Sequence, residues 1–298
     1  MKPGGTGSGH KGSSMLSLLI NTTLVGMMLR IGFDVSAAEV ITTAKDYRLI
    51  VRALVANYLF IPAVTVSLLV LLHANPMVAL SFLILSVCPG APFVPPLTAL
   101  ARGNVSVSIS LMAILAASSA IFAPLLLPFL IPLVATSEST HVNALAIIRT
   151  LGATQLLPLA TGMLVRSQHS GVAAKLSKWF GIIVNCLLLV VISLVFAAYY
   201  RVLIQIPLVS VVAMMLLSVL STTIGWFVGG AEPGNRKAMA LTTSFRNAGV
   251  GMVIALGFGN SQVLLAVVAY TLLSVVGTVV PALYWGRNST AEGHVLAH

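Results

Sequence analysis

The sequence predicts an all-α polytopic membrane protein with nine transmembrane helices. Hydrophobic residues make up 58% of its 298 residues and charged residues only 7%, whereas a soluble domain carries roughly 25% charged residues. Its apolar runs reach the length of about 18 residues that a membrane-spanning helix needs. These runs lack the period-2 alternation of a barrel strand, and lipid offers no partners to backbone N–H and C=O groups. The spans are therefore predicted to be helical.

A Gly/Ser-rich leader, residues 1–14, precedes the first span and is expected to be flexible. The apolar run that follows it has no clear small-residue cleavage signal, so we interpret this run as a span and not as a signal peptide. The predicted spans are residues 15–33, 50–72, 77–101, 105–134, 143–165, 179–200, 206–229, 238–258 and 262–285. Together they form one transmembrane domain over 15–285, and residues 286–298 form a C-terminal tail.

The basic residues support nine spans, because an odd number places the two termini on opposite sides of the membrane. Eleven basic residues fall on the side of the C-terminus, namely Arg30, Lys45, Arg48, Arg52, Arg102, Arg166, Lys175, Lys178, Arg236, Lys237 and Arg287. Only Lys2, Lys11, Arg149 and Arg201 fall on the other side. The positive-inside rule then predicts an outer N-terminus and a cytoplasmic C-terminus in the inner or plasma membrane of the cell. Because the basic residues are scattered singly, nucleic acid is not an expected partner.

Two spans are predicted to be interrupted helices. The third contains four prolines within eight residues, and proline has no amide donor for a continuous helix. The eighth places Arg246 and Asn247 beside two glycines. The expected helix-breaking residues are Pro89, Gly90, Pro92, Pro95, Pro96 and Gly249. Interrupted helices at matching places in two halves of a chain indicate a transporter binding site within an inverted repeat; here the first half lacks its leading helix.

Arg246 is the only ionisable residue predicted inside a span, because all six acidic residues and all six histidines fall in loops or at termini. Burying it costs about 2.5–3.5 kcal/mol on insertion scales. In one interpretation Arg246 receives an anionic group of a solute, since guanidinium suits carboxylate, sulfate or phosphate. In the other it is a structural residue that bonds backbone carbonyls freed by the interruptions. The two interpretations are compatible.

Other polar residues are weaker candidates for contact with a solute. Asn57 lies in an apolar span and could bond a solute, Arg246 or a neighbouring helix. Ser108 belongs to a row of alternating serines on the fourth span, where packing is the commoner role. The full set of predicted solute-binding residues is Arg246, Asn247, Asn57, Ser108, Thr98 and Thr242. No HExxH pair, phosphate loop or catalytic dyad is present, so neither an enzyme nor a metal site or cofactor is expected.

The third and eighth spans resemble the bile acid:sodium symporter family. The family's Cys-Pro-Gly-Gly break and following Thr-x-Leu-Ala-Arg-Gly-Asn are similar to Cys88–Gly90 and Thr98–Asn104, and its Gln-Tyr-Leu-x-x-Pro is similar to Asn57–Pro62. Its Glu-x-Gly-x-Gln-Asn-Ser-Gly resembles Thr242–Gly249. The resemblance implies a core domain (about 50–134 and 206–285), in which the helix breaks cross, and a panel domain (about 15–33 and 143–200). It also implies the nine-span type of the family.

The departures from the family pattern concern sodium. Where the family has sodium-ligating Ser-Asn and Thr, this chain has Val94-Pro95 and Met112, although Ser108 keeps a hydroxyl. The family's ligating Glu and Gln align with Thr242 and Arg246. The substitutions remove oxygen ligands and add a repelling charge, so neither sodium site is expected in family form. We expect Arg246 to supply the positive charge that sodium would bring.

The sequence therefore predicts a sodium-independent secondary transporter of a small organic anion, embedded in the lipid bilayer. Two alternatives stay open. One is an ordinary sodium-coupled symporter in which backbone carbonyls around residues 242–246 ligate the ion. The other is a membrane receptor that keeps the fold without transporting, because a fold does not determine a function.

Overall fold

The computed structural model describes residues 7–134, 143–203 and 207–295. Within these ranges the chain is all-helical, as predicted, and contains no β-strand. Its helices are α1 (Gly7–Asp34), α2 (Ala37–Lys45), α3 (Tyr47–Val55), α4 (Ile61–Leu71), α5 (Pro76–Ser86), α6 (Val94–Leu100), α7 (Val105–Leu130), α8 (Ala144–Leu151), α9 (Leu157–Gln168), α10 (Ser170–Leu203), α11 (Leu208–Val228), α12 (Pro233–Ser244), α13 (Ala248–Gly257) and α14 (Ser261–Val295). Two π-helical segments, Ala56–Phe60 and Gly152–Leu156, join α3 to α4 and α8 to α9, and a 3₁₀ turn, Ile131–Leu133, follows α7.

Seven helical runs in the described ranges are long and apolar enough to cross a membrane. These runs are Met15–Asp34, Tyr47–Leu71, Val105–Leu133, Ala144–Gln168, Ser170–Ala197, Leu208–Val228 and Ser261–Asn288. The predicted third and eighth spans instead each consist of two shorter helices, α5 with α6 and α12 with α13. The interruption of these two spans is therefore observed, whereas nine crossings of the membrane stay a prediction.

Two helices extend into the segments predicted to be a leader and a tail. α1 begins at Gly7, inside the segment expected to be a flexible leader, and α14 continues to Val295, through most of the expected tail. The difference has a simple physical reason. Hydropathy locates only the apolar part of a helix. The backbone hydrogen bonds continue into the adjoining polar residues when these carry no signal that ends the helix.

Both π-helical segments lie just before a proline, Pro62 in α4 and Pro158 in α9. Proline lacks an N–H, and its ring collides with the carbonyl four residues earlier in a regular α-helix. The wider π turn accommodates that carbonyl, and such turns are frequent at functional sites. Each segment also carries one fully buried amide side chain, Asn57 in the first and Gln155 in the second. Gln155 donates to the Ala116 carbonyl and, at 2.9 Å, to the Ser119 hydroxyl.

The helices pack in two groups that touch each other. α1 packs against α9 and α10, while α5, α11, α12 and α13 gather around α14. The contact of α1 with α9 depends on two facing glycines, because a Cβ at Gly32 would lie 2.4 Å from the Leu159 carbonyl oxygen, and one at Gly162 would lie 2.4 Å from that of Leu29. α1 also touches α13, and α10 touches α14, so the interrupted helices face this first group.

Large apolar side chains cover much of the outer surface. Phe129 is 75% exposed and Leu208 is 77% exposed. In water this surface would be a severe liability. In a bilayer the same side chains meet lipid, so the exposed surface agrees with an integral membrane protein.

Candidate functional site

The two interrupted helices are joined to each other through Asn247. Its backbone N–H donates to the Cys88 carbonyl at 2.8 Å, and its Nδ2 donates to the Gly90 carbonyl at 3.1 Å. Its Oδ1 accepts the Val250 N–H at 3.2 Å and so caps α13. Asn247 is fully buried. It therefore satisfies backbone groups that the interruptions leave free, which is a structural role for a residue predicted to contact the solute.

The interruptions themselves are shorter than predicted. The first covers Val87–Phe93 and the second Phe245–Asn247. Pro95 and Pro96 lie in the first turn of α6, and Gly249 lies in the first turn of α13. These three residues begin helices and do not break them, because N–H groups in a first turn have no intrahelical partner that a proline would remove. Of the predicted helix-breaking residues, Pro89, Gly90 and Pro92 lie in an interruption.

Gly90 has two reasons to be glycine. Its φ of +85° lies in the left-handed region that side chains disfavour. In addition, a Cβ at this position would lie 2.4 Å from the backbone nitrogen of Ala116 and 2.7 Å from the carbonyl oxygen of Met112, both on α7. The first interruption therefore packs directly on the backbone of α7.

Arg246 lies in the second interruption and is the largest fully buried side chain among the described residues, with 1% exposure. Its Nη1 donates to Oδ1 of Asn57 at 2.9 Å. Its Nε and Nη2 are buried and have no hydrogen-bond partner in the described part of the chain. A buried N–H without a partner costs about 1–3 kcal/mol, and more on a charged group. The guanidinium thus retains unused donor capacity at the centre of the molecule.

Asn57 holds the Arg246 guanidinium in place. It is fully buried, and its Nδ2 donates to the Ala53 carbonyl at 2.9 Å and lies 3.4 Å from the Thr243 hydroxyl. These two contacts of Nδ2 orient the amide so that its oxygen faces Arg246. Of the roles considered for Asn57 from sequence, a bond to Arg246 and a bond to a neighbouring helix, through Thr243 of α12, are both observed.

A cavity of about 350 Å³ borders Arg246 and separates the two interruptions from α1, α10 and α14. Its wall is almost entirely apolar, and Thr271 is the other polar residue on it. The wall includes Met27, Pro92, Phe93, Leu188, Ile192, Phe245 and Val275. Because Nε and Nη2 of Arg246 have no exposed surface, this conformation keeps the charge behind the apolar wall.

Apart from Pro92 and Pro96, the apolar wall residues were not among the residues predicted from sequence. Phe93 and Phe245 form an edge-to-face pair with ring centroids 6.3 Å apart, one ring from each interruption. Leucine, isoleucine and phenylalanine occur throughout every span, so nothing in the sequence distinguishes those that face a cavity from those that face lipid. The position of Phe93 and Phe245 within the interruptions was the available signal.

The remaining predicted residues lie in the packed interior and do not line this cavity. Thr98 on α6 donates to the Ser108 hydroxyl on α7 at 3.0 Å, and both side chains are fully buried. Thr242 on α12 donates to the Ala238 carbonyl one turn earlier. The hydroxyl hydrogens of Thr98 and Thr242 are therefore committed to protein acceptors.

The residues aligned with the family's sodium ligands also have a defined environment. Val94 begins α6, Pro95 follows it, and Met112 lies on α7 where its carbonyl oxygen faces Gly90. None of these three side chains carries an oxygen.

The Thr98–Asn104 motif links the two halves of the chain. Asn104 caps α7 by accepting the Val107 N–H at 3.2 Å, and its own backbone N–H donates to the Gly234 carbonyl at 3.0 Å. Its Nδ2 also donates to Asn235 Oδ1 at 2.9 Å. The turn after α6 is thereby fixed to the start of α12, so the distal ends of both interrupted helices are held together.

Comparison with known proteins agrees with this architecture. The family model described as the sodium bile acid symporter family matches residues 22–228, which is more than half of the chain. The chain is also 24% identical over 250 residues to an uncharacterized sodium-dependent transporter, YocS, of Bacillus subtilis, an alignment that covers 82% of this chain and 74% of the relative. The chain therefore belongs to the sodium bile acid symporter family.

Proposed function

We propose that this protein is a secondary transporter of a small organic anion, and that Arg246 receives the anionic group. The observation that carries the proposal is the buried guanidinium with two nitrogens, Nε and Nη2, that donate to nothing in the described ranges. A cation in an apolar interior needs a counter-charge or several acceptors. Among the described residues, the one hydrogen-bond partner of the Arg246 guanidinium is the neutral oxygen of Asn57. A carboxylate or sulfonate that accepts from Nε and Nη2 supplies both the charge and the missing acceptors.

The cavity supports an anion with an apolar body. Its volume of about 350 Å³ and its phenylalanine, leucine and proline walls suit a compact hydrophobic skeleton. Arg246 lines this space together with Phe245 and Ala248, and binding requires its guanidinium to turn toward it. The anionic group and the apolar body then meet different parts of one site.

We further propose that transport does not depend on sodium. Sodium requires several oxygen ligands, and Val94, Pro95 and Met112 offer no side-chain oxygen at positions where the family supplies them. Thr242 stands where the family has a ligating carboxylate, and its neutral hydroxyl brings no negative charge to a cation. The permanent charge of Arg246 takes the place of the ion and repels a cation in its vicinity. Transport is then facilitated or driven by exchange.

The finer architecture is part of the same proposal. The chain crosses the membrane nine times, as an inverted repeat without its first helix, with a cytoplasmic C-terminus. A panel of α1, α8, α9 and α10 moves against a core that contains both interruptions. The cavity between α1, α10 and the interruptions supports this division, because alternating access needs a site at the boundary of the moving parts.

The test is thermal stability of the purified protein with three anions, cholate, naphthalene-1-sulfonate and 2-ketoisovalerate, each with sodium and with potassium. A ligand at one hundred times its dissociation constant stabilises the folded state by about 2.7 kcal/mol. We expect at least one anion to raise the melting temperature equally in both salts, and the uncharged methyl ester of cholate to have no such effect. Uptake of the same anion into proteoliposomes without a sodium gradient separates a transporter from a receptor.

Two results would replace the proposal. Stabilisation or uptake that appears only with sodium indicates a coupled symporter, with backbone carbonyls as ligands. Binding without uptake under any gradient indicates a receptor on this fold.

A further inference from the structure

A second, smaller cavity adjoins the central one. It measures about 160 Å³ and lies between α1, the first interruption and α7. The two cavities share Pro92 and Pro96, so they lie on adjacent faces of the same prolines. Unlike the central cavity, the second has two charged residues on its wall, Arg30 and Asp34 of α1.

Arg30 and Asp34 form only a loose ion pair. Nε of Arg30 lies 3.9 Å from Oδ2 of Asp34, which is beyond hydrogen-bond distance. This Nε is buried and has no hydrogen-bond partner in the described ranges. The other carboxylate oxygen, Oδ1, accepts from the Ser177 hydroxyl of α10. Asp34 is therefore held by a neighbouring helix, and Arg30 keeps a donor without an acceptor.

Gly181 of α10 leaves the space that the Arg30 guanidinium occupies. A Cβ at position 181 would lie 3.0 Å from both Cζ and Nε of Arg30. The guanidinium thus lies between α10 and the small cavity, at the boundary between α1 and the first interruption.

We propose that Arg30 is a second contact for the anionic group of the solute, on the route between the central cavity and one face of the membrane, and that Asp34 competes with the solute for it. The inference rests on the proposed function. A single buried cation binds an anion strongly and releases it slowly, whereas passage requires sites that are weak or multiple enough for the solute to leave. A loose, partly exposed ion pair gives way to an incoming anion at little cost.

The alternative is that the ion pair merely closes the boundary between the helices. The two roles predict opposite results for the two partners. If the pair only closes the boundary, Arg30→Gln and Asp34→Asn break the same contact and change transport in the same direction. If Arg30 contacts the anion, Arg30→Gln slows transport, whereas Asp34→Asn removes a competitor and does not.

The experiment measures uptake of the three anions named above into proteoliposomes, together with anion-dependent thermal stabilisation. We expect Arg30→Gln to reduce the initial uptake rate at least tenfold. The anion concentration that gives half of the maximal thermal stabilisation should stay within twofold of the wild-type value. Arg30→Lys keeps the charge and should retain more uptake than Arg30→Gln. Asp34→Asn should be at least as fast as wild type. Lys178→Gln is the matched control, because Lys178 is exposed on α10 and lines neither cavity; its uptake should be unchanged.

Wild-type uptake in Arg30→Gln, or equal slowing in Arg30→Gln and Asp34→Asn, would overturn the role of Arg30 and leave the proposed function intact. A wild-type protein that neither binds nor transports any of the anions would contradict the proposed function, and this inference with it. If Arg30→Gln does not fold, as judged by its melting transition, Asp34→Asn decides alone: a rate below that of wild type contradicts the proposal.

Discussion

Nη1 of Arg246 lies 2.9 Å from Oδ1 of Asn57, a residue 189 positions earlier in the chain. The bond joins the second interruption to a π-helical turn of the span that contains α3 and α4. It satisfies one nitrogen of a fully buried cation with a neutral oxygen, while Nε and Nη2 have no acceptor among the residues that the structure describes. The described part of the chain therefore leaves two buried donors of this cation unpaired beside the cavity, and the first two predictions below depend on them.

Replacing Arg246 by Gln should separate stability from binding. A glutamine at this position can still donate to Asn57. The substitution also removes the buried charge and its unpaired N–H donors, and each unpaired donor costs about 1–3 kcal/mol. We expect Arg246→Gln to melt at the same temperature as wild type or higher, and to lose all stabilisation by organic anions. Arg149→Gln, at an exposed position, controls for the loss of one positive charge. Anion binding by Arg246→Gln at wild-type affinity would show that the arginine has a purely structural role.

Placing a carboxylate at Asn57 should inactivate the site by neutralising it. In Asn57→Asp the side chain is nearly the same size, and an aspartate oxygen at 2.9 Å from Nη1 forms a charge-assisted bond. We expect this variant to be folded and to show at least a hundredfold weaker anion binding in thermal-shift titrations. Asn57→Leu should instead destabilise the protein by about 1–3 kcal/mol, because Nη1 of Arg246 then loses its partner in addition to the unpaired Nε and Nη2. Equal anion affinity in wild type and Asn57→Asp would contradict the proposed charge role.

Loss of Asn247 should cost more than the loss of an ordinary helix cap. Asn247 caps α13 and also donates to the Gly90 carbonyl. Asn143 provides the comparison, since it is exposed and only caps α8, accepting the Ala146 N–H at 3.0 Å. We expect Asn143→Ala to destabilise by about 1 kcal/mol and Asn247→Ala by a further 1–3 kcal/mol, because a buried carbonyl loses its donor. Unfolding in a denaturing detergent titration measures both, and equal losses would mean that the side-chain bond between the interruptions contributes nothing.

A side chain at Gly90 should prevent normal folding. Alanine there requires a strained φ of +85° and places Cβ 2.4 Å from the Ala116 nitrogen. Gly257→Ala is the matched control, because nothing lies within 4 Å of a Cβ at that position. We expect Gly90→Ala to yield little monodisperse protein in size-exclusion chromatography and Gly257→Ala to behave as wild type. A well-folded Gly90→Ala would mean that the first interruption does not pack on α7 as described.

Much of the fold follows from local sequence. Long apolar runs without charges can only be helices in lipid, because the backbone must satisfy itself. Pro89 and Pro92 interrupt their helix for want of amide donors, and Arg246 marks the second interruption. These features depend on residues close together in the chain, and the structure contains all of them.

Only the tertiary structure decided how these parts meet. It pairs Arg246 with Asn57, commits Thr98 to Ser108, and uses Asn247 to join the interruptions. It also assigns Pro95, Pro96 and Gly249 to first turns of helices, and places Arg30 beside a second cavity. In spans that are apolar on every side, no periodicity tells which face meets a partner helix. The packing of backbones through glycines such as Gly32 and Gly90 therefore sets those distances, and with them the chemistry of the site.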